Sequence, residues 1–438
     1  MKRRGLLVGC AAVATLGAIP ARAATASLQS AARDAWLFGL PLIEMAGARV
    51  AATKGVGANV MVHNPALTTV KTQSVTTPNN DTLYARAWID LSQGPVTLTL
   101  PAAGSRYISV ALMDMYSNNF AVLGTRTTGP QGGVFTLVGP GEAILSPRAI
   151  RSPTPWVWLL VRTLVDGEAD LAAANAVQEG VRLKAPAVAA PAVHANRNAG
   201  WAPYFSSVQA LMLENPPSVT DLAWLQGFEP LGLKTSGGFD PTRFSPAEVA
   251  QIEAGMAEAK GLLRSRRRPG PVAEGWIYPK ANLGEFGQDY LYRAQVAVAG
   301  LAALPPVEAM YMRALSPQGT PTFDSAQSYR LHFPADRLPP VHSFWSLTMY
   351  EATPDGQAFF TTNVINRYAI GDRSPGLVKG ADGSLTLWLT RQDPGDAKRA
   401  NWLPTPAEKP FTIVMRAYLP KEELLQGSYR LPPLERLA

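Results

Sequence analysis

VTLTLP (96–101), ALMDMY (111–116), GVFTLVGP (133–140) and VWLLVRTLVDGEADL (157–171) follow one another in the first half of the chain. YRLHFP (329–334), WSLTMY (345–350), GSLTLWL (383–389) and FTIVMRAYLPKEELL (411–425) follow one another in the second. The blocks alternate apolar and polar residues between turn formers, as half-buried strands do. Their order and residue types correspond: Pro101 matches Pro334, Met115-Tyr116 matches Met349-Tyr350, and Arg162 matches Arg416. The expectation is an α+β, β-rich chain with two antiparallel, jelly-roll-like β-sandwich modules that form an internal duplication. Different strand orders in the two modules would defeat that reading.

Around these blocks the pattern becomes helical. Ser27 to about Ala52 spaces apolar residues as a helix does after a Ser27 or Ser30 cap, with a kink expected at Gly39 and Pro41. Residues 167–185, 245–264 and 286–313 also read as helices, with a Pro/Ala-rich linker at 185–203. The divisions expected are a signal peptide at 1–23, the first β module with its helix at 24–166, a mainly helical region at 167–314 and the second β module at 315–438. Across 438 residues, charged residues make up only 17%, against about a quarter in an average domain, and 37 Gly and 38 Pro favour loop-rich β structure.

Lys2, Arg3 and Arg4 precede an apolar run that ends in Ala21-Arg22-Ala23, the form of a secretory signal cleaved after Ala23. Arg3-Arg4 is also compatible with twin-arginine export, so the route stays open. The expected location is periplasmic or secreted. Cleavage removes Lys2, Arg3, Arg4 and Arg22 from the 40 basic residues, leaving 36 against 33 acidic ones and a net charge of +3 rather than +7. The only cluster of cations is Arg264 to Arg268, so no nucleic-acid partner is expected, and no membrane span is expected in the mature chain. The single Cys leaves with the signal. The mature fold therefore has no disulfide and no cysteine nucleophile.

Four polar clusters interrupt the strands. Asn79-Asn80-Asp81 follows Pro78 as a turn by chemistry, or as amides and a carboxylate entering a pocket beside Tyr84. Asp114 shares a strand face with Val110 and Leu112 and needs a cation, for which Arg106 and Arg126 are the candidates. Tyr116 and Asn118 lie beside it. Asn363, Asn366-Arg367-Tyr368 and Asp372-Arg373 form the third cluster, and Asn401-Trp402 the fourth.

PNNDTLYARAWIDL, RYISVALMDMYSNNFAVLGTRTTG and AWLFGLPLIEM resemble the bacterial domain of unknown function numbered 1254. HSFWSLTMYE, NRYAIGDR, DGSLTLWL and NWLPTP resemble its companion, the domain of unknown function numbered 1214. The resemblance implies an exported protein with two β modules and an intervening helical region. It implies no activity and no catalytic residue.

None of His63, His194, His332 and His342 stands in a metal-binding spacing, and there is no nucleophile elbow, phosphate loop or dinucleotide fingerprint. No cofactor is expected, although calcium at the Asp-rich turns stays open. The leading expectation is a hydrolase-type enzyme on a small molecule, a glycoside or an ester. Asp81 and Asp114 would divide acid and base roles beside Tyr84 and Tyr116. Asn79, Asn80, Asn118, Arg126, Trp345, Tyr350, Arg367 and Tyr368 would contact the substrate. The alternative is a non-catalytic ligand-binding or envelope protein, in which aromatic residues including Trp345, Tyr350, Tyr368 and Trp402 stack on a ligand. A homo-oligomeric assembly is a third possibility.

Overall fold

The computed structural model describes residues 27–437, apart from 74–75, 187, 189, 266–269 and 355. The signal-peptide reading of 1–23 and most of the Arg264–Arg268 cluster therefore lie outside the described residues.

In the first module the strands are β1 (Val62–His63), β2 (Thr82–Asp90), β3 (Val96–Leu100), β4 (Ile108–Met113), β5 (Asn119–Gly124), β6 (Gly133–Val138), β7 (Ala149–Arg151), β8 (Trp156–Leu164) and β9 (Arg182–Lys184). They form one sheet in the order β1-β2-β8-β4-β5 and a second in the order β7-β6-β3-β9. Alternation explains the layering. Ala85, Ala87 and Ile89 of β2, Val157, Leu159 and Val161 of β8 and Leu98 of β3 all point into one apolar core between the two sheets.

The second module contains β10 (Val272–Ala273), β11 (Trp276–Ile277), β12 (Ala309–Ala314), β13 (Tyr329–Phe333), β14 (Trp345–Ala352), β15 (Ala358–Phe359), β16 (Ala369–Gly371), β17 (Leu385–Thr390), β18 (Trp402–Pro404), β19 (Phe411–Tyr418) and β20 (Glu435–Arg436). One sheet runs β10-β11-β12-β19-β14-β15, with β16 also on β14. The other runs β18-β17-β13-β20. Met415, Leu347, Leu331 and Leu387 lie in the core they share. The larger sheets have five and seven strands and the smaller ones four each, and among the described residues no sheet closes into a barrel. The expectation of purely antiparallel modules needs correction, because β6–β7 and β17–β18 are parallel pairs.

The helices are α1 (Leu28–Thr53), α2 (Leu171–Glu179), α3 (Trp201–Glu214), α4 (Leu222–Leu225), α5 (Pro246–Ser265) and α6 (Tyr290–Ala299), with the single turns α7 (Asp396–Arg399) and α8 (Glu422–Leu425) in the second module. Ser27 caps α1 by accepting the Ser30 N–H at 3.1 Å, and one helix continues through Gly39 and Pro41. A Cβ at Gly39 would lie 2.4 Å from Val208 Cγ2, so glycine is what lets α3 approach. By length and apolarity α1 resembles a membrane span, yet Trp36, Phe38, Leu40, Leu42 and Met45 are buried in a core shared with α3, α5 and the first module.

Three local expectations fail. Residues 182–184 form a strand rather than the end of a helix. Trp201–Glu214 is a helix that begins at the end of the 185–203 linker and continues through a stretch where none was expected. Residues 309–314 are β12, so the second module begins before residue 315. Pro305-Pro306 ends the preceding helical pattern, and AMYMRA then pairs along β19.

Candidate functional site

The two modules meet through the outer faces of their larger sheets, and register decides which side chains appear there. On β8, Arg162 lies between Tyr84 of β2 and Ser109 of β4. On β19, Arg416 lies between Tyr311 of β12 and Ser346 of β14. Each larger sheet therefore carries the row Tyr-Arg-Ser on its outward side. Around these rows Tyr107, Leu164, Phe344 and Tyr418 form an apolar seam, with Tyr107 5.3 Å from Tyr418 and Phe344 stacked 4.1 Å from Tyr418 between ring centroids.

Each arginine reaches the loop that precedes the first long strand of the other module. Arg416 donates from Nη2 to the Thr77 carbonyl at 3.0 Å and from Nη1 to Thr348 Oγ1 at 2.8 Å. Arg162 donates from Nη2 to the Ala302 carbonyl at 2.9 Å. Thr77 and Ala302 both adopt positive φ, 49° and 69°, conformations that the opposite arginine helps hold. The residues just before β2 and β12 are carboxylates. Asp81 accepts from Ser346 Oγ at 2.6 Å. Glu308 accepts from Tyr107 Oη at 2.9 Å and from Arg126 Nε at 2.7 Å. Asn79 completes the contact: its Oδ1 accepts the Asp81 N–H at 2.8 Å, and its Nδ2 donates to Tyr418 Oη at 2.8 Å.

Burial raises Asp81 above its ordinary pKa, opposed by Arg416 and the Ser346 hydrogen bond. Burial also raises Glu308, opposed by Arg126 and Tyr107. Tyr107 and Tyr418 are pushed well above the usual phenol value, first by burial, so they remain neutral donors. Burial works against the charge on Arg416, but Tyr350, Tyr418 and Asp81 outweigh it. Asp81 opens onto a cleft of about 170 Å³ between the modules, lined among others by Asn80, Phe344, Ser346, Gly371 and Arg373.

The sequence candidates divide between this seam and other places. Asp81, Asn79, Asn80, Tyr84, Tyr350 and Arg126 belong to the seam, where Tyr350 donates to the Pro78 carbonyl at 2.6 Å. Asp114, Tyr116 and Asn118 do not. They lie past the other end of β4, facing the helical region, so Asp114 is no second carboxylate for Asp81. Asp114 Oδ1 accepts the Tyr116 and Asn118 N–H groups at 2.9 Å each, and Tyr116 donates to the Asn215 carbonyl at 2.9 Å. The expected cations for Asp114 also have other partners: Arg106 binds Asp170, Arg126 binds Glu308, and the charge near Asp114 is that of Arg293. Trp345 is buried beside Phe333, Trp402 is buried, Tyr368 stacks on Phe360, and Arg367 donates to the Trp402 carbonyl at 2.8 Å. Trp345, Trp402, Tyr368 and Arg367 therefore form no exposed platform for a ligand. Among the described residues no group of three or more His, Cys, Asp or Glu is placed to hold a metal.

Burial pushes Asp114 up to about 6. The folded state therefore holds a proton that the unfolded chain has released, and stability falls as pH rises from about 4 to about 6, by about 3 kcal/mol. Asp114→Asn keeps the Oδ1 acceptor and should flatten that slope, with Asp221 still beside Arg293. Asp114→Ala should cost about 2–3 kcal/mol because two buried amides lose their acceptor. Urea denaturation at pH 4 and pH 7 checks both.

Ser346, Glu308, Tyr107 and Tyr418 escape the sequence reading. The available signal was a lone arginine in each of the apolar strands VWLLVRTLV and FTIVMRAYL, a charge that can persist there only opposite partners.

The VPA0106 protein from Vibrio parahaemolyticus has a similar crystal structure, with a TM-score of 0.71 at 22% identity over 94% of this chain and all of that one; the likeness is one of fold. A putative uncharacterized protein from Burkholderia cenocepacia aligns with a TM-score of 0.47 at 15% identity over 90% of this chain and 87% of that one. No curated protein matches the chain. Residues 58–185 match the family model described as Protein of unknown function (DUF1254) and residues 308–422 the one described as Protein of unknown function (DUF1214), so the chain carries these two domains in that order.

Proposed function

We propose that the cleft between the modules is a small-molecule site and that the protein is a hydrolase-type enzyme in which Asp81 is the acid/base group. The observation that carries this reading is the 2.6 Å contact between Asp81 and Ser346 at the cleft, beside Arg416. A carboxylate of raised pKa next to a hydroxyl, between two chain segments, suits activation of water or of Ser346 toward an ester or glycosidic bond. Binding without turnover is the second reading of the same cleft, favoured by the buried Asn80 Oδ1, which has no hydrogen-bond partner among the described residues.

The test is a thermal-shift screen of esters, glycosides and organic acids, followed by mass spectrometry for conversion. Asp81→Asn should lower kcat/KM for a converted compound by about 10²–10⁴-fold while the protein stays folded. Full turnover by that variant would end the acid/base assignment, and stabilisation without conversion across the hits would favour the binding reading.

The modules read as diverged copies on a jelly-roll-like plan. The shared strand order supports this, as does the recurrence of Tyr-Arg-Ser and a carboxylate at matching positions, and of a positive-φ residue in the loop before each carboxylate. Export to the periplasm or beyond rests on residues 1–23. Cleavage after Ala23 would leave α1 and its Ser27 cap whole, and intact-mass measurement of the exported protein should give Ala24 as its first residue.

A further inference from the structure

We propose that the seam beside the cleft binds a small carboxylate anion against Arg162; the inference rests on reading the contact between the modules as a place where ligands bind. Charge is the first argument. Arg416 faces Asp81 and Arg126 pairs with Glu308, whereas Arg162, near enough to Glu308 to act on its charge, is in salt-bridge contact with no carboxylate among the described residues. The tyrosines supply no anion, since burial keeps Tyr107 and Tyr418 protonated. An uncompensated guanidinium away from water is costly, and a monoanion would offset that cost.

Hydrogen bonding gives the same answer. Arg162 is 6% exposed, and its buried Nη1 has no partner. Tyr84, Tyr311 and Tyr418 lie around it, close enough to act on its charge. Tyr84 and Tyr418 each accept from Asn79 Nδ2, at 3.2 and 2.8 Å, and among the described residues no oxygen accepts the hydroxyl proton of Tyr84, Tyr311 or Tyr418. Donors thus exceed acceptors at one point. The matching place around Arg416 shows no such excess, because the Thr77 and Pro78 carbonyls and Thr348 take its protons. A guanidinium edge with phenol O–H groups is the donor set that a carboxylate accepts from. Tyr84 and Tyr311 are only partly buried.

The probe is sodium acetate, titrated into the full chain against sodium chloride and sodium phosphate at equal ionic strength, with Tm and calorimetric heat as readouts. Acetate should raise Tm saturably where chloride and phosphate do not. Tyr311→Phe, which removes one oxygen, should weaken acetate about tenfold, and Arg162→Met should abolish saturation. If Arg162→Met fails to fold, Tyr311→Phe carries the test. Equal responses to acetate and chloride, a stronger response to phosphate, or an unchanged acetate affinity in Tyr311→Phe would each overturn the proposal. Asp81→Asn should retain acetate binding. Loss of acetate binding in the wild type therefore counts against this contact alone, and full turnover by Asp81→Asn counts against the acid/base role alone.

Discussion

Arg416→Met should cost about 3–5 kcal/mol of stability, and Arg162→Met, at the matching position, about 1–3 kcal/mol. The two side chains occupy the same place in their sheets, so strand propensity and register are held constant. Their partners differ. Arg416 satisfies Thr348 and the Thr77 and Pro78 carbonyls and is the cation facing Asp81. Removing it leaves Asp81 without that compensation and frees the 77–81 segment from one of its ties to the second module. Arg162 bonds only the Ala302 carbonyl, and Glu308 keeps Arg126 when Arg162 is lost. The Arg416 deficit should also grow with pH. Without the guanidinium the Asp81 pKa rises further, so the folded state takes up more protons relative to the unfolded chain as pH climbs above about 4. Urea denaturation of both variants at pH 4 and pH 7 measures this; equal costs, or a deficit largest at pH 4, would show that Arg416 is not the cation that holds Asp81.

Alternation and turn chemistry made the strands of both modules legible, because VTLTL, ISVALM, SLTLWL and FTIVMRAY bury one face against a sheet partner whatever the topology. What sequence could not supply was the pairing between strands. Met115-Tyr116 was matched to Met349-Tyr350 by residue type, yet the registers on β8 and β19 place Leu112-Met113 opposite the residues that match the partners of Met349-Tyr350. The offset is three residues, and a slip of odd length exchanges the inward and outward faces, so matching by residue type alone set the wrong register here. The same limit hid the site. Tyr84, Ser109 and Arg162 are scattered along the chain and become neighbours only through register, and Ser346 inside WSLTMY carries no local signal. Asp81 was legible because Pro-Asn-Asn-Asp is conspicuous as a turn. Asp114 was conspicuous as an acid on an apolar strand face, and the structure places it in a turn, where it accepts the Tyr116 and Asn118 N–H groups. α3 was missed because Pro and Ala dominate the approach to it, while its Tyr204, Phe205, Val208, Leu211 and Met212 stripe is buried against α1 and its neighbours.

Gly371→Ala should cost about 3 kcal/mol, and Gly124→Ala about 1 kcal/mol more. The reason is contact with a backbone that cannot move away. A Cβ at Gly371 would lie 2.1 Å from the Trp345 carbonyl oxygen, and one at Gly124 2.1 Å from the Ile108 carbonyl oxygen. Both carbonyls belong to inner strands of the larger sheets, and both glycines pair with the serines of the Tyr-Arg-Ser rows: Gly371 with Ser346 and Gly124 with Ser109. Relief therefore requires an edge to separate from the sheet that presents the seam. Gly124 bears an added penalty because its φ of 126° is one that L side chains rarely adopt. Gly47, on the exposed side of α1 with open space at its Cβ position, is the control, and Gly47→Ala should gain about 0.5–1 kcal/mol through helix propensity. If the modules are copies of one plan, the two sheet variants must fail alike, each with a steep loss that the helix variant does not show. Denaturation midpoints for the three proteins decide it. A Gly371→Ala protein as stable as the wild type would mean that β16 can leave β14 at little cost, and the seam would then be a looser structure than its hydrogen bonds imply.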